Sequence, residues 1–495
     1  MKYISTRNVK ATVNSPEAII KGISEDGGLF VPSDFPILSE ADFAKMADME
    51  YYERSAFVLG KFLDEFTSDE LLKMTKAAYS RFDSKETAPV VKLDDNLFVL
   101  ELFHGPTYAF KDIALTLLPH LMTKSKEKLA DKSKTLILVA TSGDTGKAAL
   151  EGFKDVDGTA IIVFYPSDGV SDMQKLQMMT QEGKNVKVVG IKGNFDDAQT
   201  AVKKVFTDPE IAKLLLDEGI KLSSANSINW GRLAPQIAYY VSTYVDLVSS
   251  DEIEMGDKIN FVVPTGNFGN ILAGYYAYKM GVPVGRLILA SNQNNVLTDF
   301  FHKGKYDADR KFFKSISPSM DILISSNLER LIFEAADRND ETVKKLYKDL
   351  TDGKSFEFDV SKIDEIFGAG WANEDETKDA IADTLDEYDY PIDTHTAVAM
   401  SVYNDYQDET DDENATVVVS TASPYKFPLD VYNAIHHSDK KMDAFKAAQM
   451  LEEEISMDEP DGLKTLQTKK VLHDAVIEKD HIAEEVLKFA KTQRI

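Results

Sequence analysis

Apolar and polar positions follow two different rhythms along this chain, and the change falls near residue 96. Between about 40 and 80, Phe43, Met46, Tyr51, Phe57, Leu59 and Phe62 sit at helical spacing, which predicts helices there. Just upstream, GISEDGGLFVP (22–32) places a Gly27-Gly28 turn before a short extended LFVP. Beyond 96 the apolar positions bunch into continuous runs of strand length. These are LFVLELF (97–103), TLILVA (135–140), TAIIVFYP (159–166), VKVVGIKG, INFVVP (259–264), RLILASN (286–292) and ATVVVS (415–420). Helical segments at about 146–153, 171–183 and 196–206 separate the early runs. Apolar strands alternating with helices predict an α/β fold with parallel sheets buried on both faces. A helical stretch at about 226–249 divides the strands into two groups, so two lobes facing each other are expected.

This patterning divides the chain into an N-terminal part (1–95), a two-lobed core (96–435) and a helical C-terminal extension (436–495). An acidic stretch at about 334–390, containing EDETKD, reads as an insertion in the core. The run DETDDE at 408–413 reads as a solvated loop.

Composition narrows the function. The chain has 495 residues, of which 43% are hydrophobic and 28% charged, as in a globular protein with a large core. It has no cysteine, which removes disulfides, thiolate nucleophiles and Cys-based metal sites. Against 56 Lys and Arg stand 83 Asp and Glu, a formal charge of −27. Nucleic acid and anionic membrane are therefore poor partners, and any anionic ligand must be held by local cations or amide dipoles. The first twenty residues lack the apolar core of a signal peptide, and no apolar stretch approaches the ~20 residues of a membrane span. The expectation is a cytoplasmic protein. There is no H-x-x-x-H pair and no G-x-S-x-G elbow, so neither a metal site nor a serine hydrolase is expected.

The candidate chemistry lies at strand ends, where open α/β sheets bind ligands. In VATSGDTGKAAL (139–150) a strand runs into a small-residue turn and then a helix, with Thr141, Ser142 and Thr145 as hydroxyl donors. Outward N–H groups and a helix N-terminus suit an anion. A Walker A motif is excluded, because two residues rather than four separate Gly143 and Gly146 and Ala148 follows Lys147. VVPTGNFGNILAG (262–274) repeats the strand–turn–helix pattern, with Gly266 and Gly269 allowing close approach. In ELFHGPTYAFKDIAL (101–115), Lys111 follows Tyr108-Ala109-Phe110, and a lysine against aromatic surface is a Schiff-base candidate. As a bare pattern the plainer reading, a surface lysine, outweighs it. NSINWGR (226–232) offers Asn226 and Arg232, either a clamp for phosphate or carboxylate or the start of a helix with a structural salt bridge. VVSTASPYKFP (418–428) ends a strand in hydroxyl residues, and His395 reads as a capping or core residue.

HGPTYAFKD, ATSGDTG, NSINWGR, PTGNFGN and STASPYKF, in this order, resemble the threonine synthase family. Its members are pyridoxal-phosphate enzymes of fold type II, the tryptophan-synthase-β-like group. GISEDGGLFVP and SPSMDILISSNLERLIF (317–333) resemble further family blocks, and the likeness runs to about residue 435. The resemblance implies roles at matching positions. Lys111 would carry pyridoxal 5'-phosphate as a Schiff base and act as the catalytic base. Gly266, Asn267, Phe268 and Asn270 would hold the cofactor phosphate, and Thr421 would meet the pyridine nitrogen. Thr141, Ser142, Gly143, Asp144 and Thr145 would bind substrate, with the turn Ser142 to Gly146 meeting its carboxylate. Arg232, with Asn226 and Lys147, would take the substrate phosphate. The implied reaction turns O-phosphohomoserine and water into threonine and phosphate by γ-elimination and β-hydration. Alternatives are a related phospho-lyase releasing a 2-oxo acid and a non-catalytic binder of a phosphorylated ligand. Many relatives read His-Pro where this chain has Ser423-Pro424. A small-molecule substrate is implied, and a monomer and a homodimer are equally open.

Overall fold

The computed structural model describes residues 1–141, 143–167 and 170–492. Sixteen strands are defined among these residues. They are β1 (Tyr3–Ser5), β2 (Asn8–Val13), β3 (Phe30–Pro32), β4 (Val90–Asp94), β5 (Leu97–Glu101), β6 (Lys134–Ala140), β7 (Thr159–Pro166), β8 (Val186–Lys192), β9 (Ile220–Ser223), β10 (Ile259–Pro264), β11 (Val284–Ser291), β12 (Lys305–Tyr306), β13 (Phe356–Glu357), β14 (Phe367–Trp371), β15 (Ala415–Ser420) and β16 (Val476–Glu478).

Two large sheets carry the fold, as the grouping of apolar runs predicts. The larger has the order β14-β11-β10-β15-β5-β4 and is parallel except for the β4–β5 hairpin. The smaller has the order β16-β8-β7-β6-β9 and is parallel throughout. Every residue of β7, β10 and β15 is buried, so these strands have no solvent face, and their unbroken apolar sequences follow from that. The long helix Trp230–Ser249 joins β9 of the smaller sheet to β10 of the larger one and is buried over most of its length. It was expected at about 226–249; the polar residues before Asn229 form its approach, and the Asn229 side chain caps it through Gly231 N at 2.8 Å.

The N-terminal part does not have a core to itself. Its β2-β1-β3 sheet and the helices Glu40–Ala47 and Tyr51–Phe62 pack on the long helix, and the helix Ser68–Tyr79 packs on Tyr51–Phe62. Trp230 lies 5.2 Å from Tyr3 and 5.5 Å from Phe62, ring centre to ring centre. The acidic stretch at about 334–390 contributes β14, an edge strand of the larger sheet paired with β11. The C-terminal extension is helical at Ala444–Glu452 and Ile482–Thr492, and between them β16 extends the smaller sheet beside β8. Among the described residues no helix is long and apolar enough to cross a membrane.

Candidate active site

The loop after β5 brings Lys111 to the centre. Phe110 N donates to Thr421 O at 2.8 Å, and Ser423 N donates to Tyr108 O at 3.1 Å, so the loop is pinned to the end of β15. Asp112 locks it from within, accepting from Thr107 N and Thr107 Oγ1, both at 2.7 Å. Burial nevertheless pushes the Asp112 carboxyl up to about 6. Lys111 opens the short Lys111–Leu115 helix. Its Nζ donates to Ser319 Oγ at 2.9 Å and lies 3.8 Å from Asp144 Oδ2. That second distance joins the loop after β5 of the larger sheet to the turn after β6 of the smaller one. Burial lowers the pKa of Lys111 to about 8; Asp144 opposes the shift, and Arg232 and Lys426 reinforce it. A lysine so placed is partly neutral near physiological pH, as a Schiff-base nucleophile or base must be.

The turn after β10 is a neutral cup. Phe268, in the left-handed conformation (φ 61°), opens the helix Gly269–Lys279, so the helix N-terminus faces the end of the strand. Backbone oxygens fix the turn from outside. Gly266 O accepts from Ser325 Oγ at 2.8 Å, and Asn267 O accepts from Asn327 N at 3.1 Å and Asn327 Nδ2 at 3.0 Å. A Cβ on Gly266 would stand 2.9 Å from Ser319 O, so no side chain fits there. Asn270 Oδ1 accepts from the hydroxyls of Tyr239 at 2.6 Å and Tyr240 at 2.8 Å, which orients the amide. Its Nδ2 is then a buried donor with no partner among the described residues. An unmet buried donor beside a helix N-terminus fits an anionic oxygen such as that of a cofactor phosphate. The Asn267 side chain, by contrast, is exposed and accepts from Ser326 Oγ at 3.2 Å.

The turn after β6 is held by side chains and carries charge. Thr141 Oγ1 accepts from Gly143 N at 3.0 Å and Gly146 N at 2.9 Å, so its hydroxyl latches the turn. The helix begins at Asp144, two residues before the expected Gly146. Asp144 Oδ1 takes Lys426 Nζ at 2.9 Å and Gln174 Nε2 at 2.9 Å. Burial alone would raise this carboxyl; Lys426 and Lys111 outweigh it and hold it well below the usual range. Thr145 is half-buried, and Ser142 lies outside the described residues. Lys147 donates to Gln181 Oε1, and burial lowers its pKa to about 8.

Arg232 sits in the first turn of the long helix, 6% exposed, and donates to Ala225 O at 2.6 Å. It forms no ion pair with any described residue, which sets aside the structural salt bridge, and burial lowers its pKa to about 10. Its charge reaches Lys111. A buried guanidinium without a carboxylate is poised for an anion. Asn226 is exposed nearby in the chain. Thr421 directly follows β15, 6% exposed, with no partner for its hydroxyl among the described residues. Ser423 Oγ accepts from Tyr425 N at 3.3 Å and caps the turn that follows.

Four residues of the site carried no assigned role in the sequence reading. Lys426 is one; its sequence signal was only its place in STASPYKF. Ser319 is another, and it links Lys111 to His395: Ser319 N donates to His395 Nε2 at 3.1 Å, while His395 Nδ1 pairs with Asp393 Oδ1 at 2.9 Å. His395 is buried, as a core histidine should be, and it braces the Ser319 turn. Asn327 and Arg330 complete the set. Arg330 Nη1 donates to Asn327 Oδ1 at 2.5 Å, Nη2 to Ile228 O at 2.6 Å and Nε to Phe30 O at 3.0 Å. One buried arginine thus ties the N-terminal sheet, the NSINWGR block and the cup together.

Comparison with known proteins agrees with this geometry. The family "Threonine synthase N terminus" matches residues 2–79, "Pyridoxal-phosphate dependent enzyme" matches 87–422, and "Threonine synthase, C-terminal" matches 396–468. The threonine synthase of Pseudomonas aeruginosa is 37% identical over 404 residues, covering 81% of this chain and 83% of that protein. The chain belongs to the threonine synthase family of pyridoxal-phosphate-dependent enzymes. The crystal structure of pyridoxal-phosphate-bound threonine synthase from Brucella melitensis superposes with a TM-score of 0.88 at 35% identity, covering 99% of this chain and all of that one. The human protein "Threonine synthase-like 1" is 42% identical over 430 residues, covering 82% of this chain. The chain spans 58% of the length of that relative. The two-lobed α/β architecture is therefore that of threonine synthases.

Proposed function

We propose that this chain is a threonine synthase, a lyase converting O-phospho-L-homoserine and water to L-threonine and phosphate in the cytoplasm. The observation that carries the reading is Arg232, a buried guanidinium without a carboxylate partner among the described residues, whose charge bears on Lys111. A net charge of −27 repels an anionic substrate, so a buried cation left unpaired needs a reason. A cofactor phosphate, a substrate carboxylate and a substrate phosphate together need three anion sites. The cup at Gly266–Asn270, the turn at Thr141–Thr145 and Arg232 supply three.

In this reading Lys111 holds the cofactor. Backbone N–H groups at Gly266, Asn267 and Phe268, with Asn270 Nδ2, hold its phosphate, and the Thr421 hydroxyl meets its ring nitrogen. Pyridoxal phosphate, when bound, supplies an electron sink for charge developing on the carbons of the amino acid. Lys111 Nζ takes the proton from Cα, a task suited to an amine whose pKa burial has lowered to about 8. The turn after β6, Ser142 included, orients the substrate carboxylate by its N–H groups. Arg232, with Asn226 and Lys147, meets the phosphate that departs from Cγ. A proton also leaves Cβ as the phosphate departs, Cγ and Cα each regain one proton, and water adds its hydroxyl at Cβ. The substrate is a small molecule.

One observation favours a second reading. A relative named threonine synthase-like is 42% identical, whereas the Pseudomonas threonine synthase is 37% identical. The second reading is a phospho-lyase that releases 2-oxobutanoate and ammonia. Purified protein with pyridoxal phosphate and O-phosphohomoserine decides between them. Equal amounts of phosphate and threonine are expected; phosphate with 2-oxobutanoate would move the chain to the lyase reading, and no phosphate would reject both.

A further inference from the structure

Lys426 is entirely buried and has three acceptors: Asp144 Oδ1 at 2.9 Å, Thr107 O at 2.9 Å and Gln177 Oε1 at 3.1 Å. Its ammonium is therefore saturated by the protein and is not a free cation for substrate. It comes from the turn after β15 in the larger sheet, while Asp144 and Gln177 belong to helices of the smaller lobe. The ion pair crosses between the two sheets.

Asp144 makes this pair consequential. Its other oxygen, Oδ2, faces Lys111 at 3.8 Å. A buried carboxylate at that distance favours a protonated lysine, which is the wrong state for a nucleophile or base. It also places negative charge in a turn expected to receive a carboxylate. We propose that Lys426 is a positioning residue that binds and neutralises Asp144, so that this carboxylate holds Lys111 in place without keeping it protonated. The inference rests on the role given to Lys111 above.

The charges that bear on Lys111 come from every side of it. Asp144, and Asp112 next to Lys111 on its own helix, favour the ammonium; Arg232 on the long helix and Lys426 after β15 oppose it. Ser319 Oγ accepts its hydrogen bond, and the ring of His395 braces Ser319 N. Removing Lys426 deletes one opposing cation and at the same time unmasks Asp144. Both effects raise the proton affinity of Lys111. Removing the charge of Asp144 does the reverse.

The test reads the proton on Lys111 directly. The full chain, after removal of the cofactor, is acetylated with trace acetic anhydride across a pH series, and the Lys111 peptide is quantified by mass spectrometry. The wild-type midpoint is expected near 8. Lys426→Met should raise it by about one pH unit or more, the size of shift a buried neighbouring charge produces. Lys426→Arg should restore it, and Asp144→Asn should lower it. A folded Lys426→Met variant with the wild-type midpoint would overturn the proposal, as would an Asp144→Asn midpoint that rises. If Lys426→Met does not fold, Asp144→Asn and Lys426→Arg decide. The labelling needs no turnover, so it stands apart from a failure of the substrate assignment.

Discussion

At the end of β10 the chain turns through Thr265–Phe268 into a helix, and after β6 another helix starts at Asp144, with Gly143 as its cap. The two turns keep their shape by opposite means. The first is gripped from outside through its backbone oxygens, by Ser325 and Asn327, and Asn270 Nδ2 beside it has no partner among the described residues. The second is gripped from within by the Thr141 hydroxyl, and its carboxylate, Asp144, is engaged by Lys426, Gln174 and Lys111. A neutral, externally braced turn can hold a doubly charged phosphate permanently. A turn that carries its own charge can report on, and adjust, the protonation of the lysine beside it. On the proposed function, similar sequence patterns at two strand ends serve a fixed anchor and a tunable one.

Lys111 lies beside Asp144 of the second turn and donates to Ser319, whose carbonyl faces Gly266 of the first, so Lys111→Ala should have the largest effect. A loss of about a thousandfold or more in turnover is expected, as for removal of an acid–base group, together with the visible absorption of the lysine-bound cofactor. Arg232→Ala should cost roughly 2–3 kcal/mol in kcat/KM, the worth of charge-assisted hydrogen bonds, with most of the loss in KM. Steady-state kinetics with O-phosphohomoserine gives both figures, and a loss confined to cofactor affinity would put Arg232 at the wrong anion.

The turns themselves are separated by a pair of alanines. Gly266→Ala sets a Cβ against a backbone oxygen that cannot swing away, so cofactor affinity should fall by about 1–3 kcal/mol on overpacking grounds. Gly143→Ala meets the end of the Gln174 side chain at 2.6 Å from a backbone φ of 154°, and should raise KM while leaving cofactor affinity unchanged. Spectral titration with pyridoxal phosphate separates the two, and equal cofactor losses would erase the distinction.

The smallest effect lies outside both turns. His104 bridges Asp83 and Glu101, at 2.7 Å to each. Burial alone would lower its pKa, but the hydrogen bonds to Asp83 and Glu101 prevail and raise it to about 9. A raised histidine stabilises the fold fully below its unfolded value of about 6.5, and the contribution disappears as pH rises through about 9. With Asp83 exposed to solvent, roughly 1 kcal/mol should be lost across that window and be absent from His104→Asn. Denaturant titrations at pH 6 and pH 9.5 measure it.

The strands were legible because parallel strands buried on both faces must be apolar throughout, and TAIIVFYP and INFVVP could be little else. The acidic stretch hid β14 because FGAGW is short, glycine-rich and edge-lying, with only Phe367 of its five residues buried and no apolar run to mark it. β16 was hidden for the same reason: VIE pairs along one side only and is largely exposed. In the site, glycines and hydroxyls at strand ends announced themselves, since their chemistry is local in sequence. Lys426, Ser319 and Arg330 did not. Their work is done across 249 residues to Gln177, 208 to Lys111 and 300 to Phe30, and no local pattern encodes such a partner.

The central claim is that this site holds a substrate at two anionic ends, its phosphate on Arg232 and its carboxylate on the turn after β6. The most direct measurement is calorimetric binding of O-phosphohomoserine and of homoserine to Lys111→Ala protein supplied with pyridoxal phosphate, with and without Arg232→Ala. The account predicts that the phosphorylated ligand binds about a hundredfold more tightly, and that Arg232→Ala removes this advantage while leaving homoserine binding unchanged. Equal affinities for the two ligands, or an advantage that survives the loss of Arg232, would contradict it.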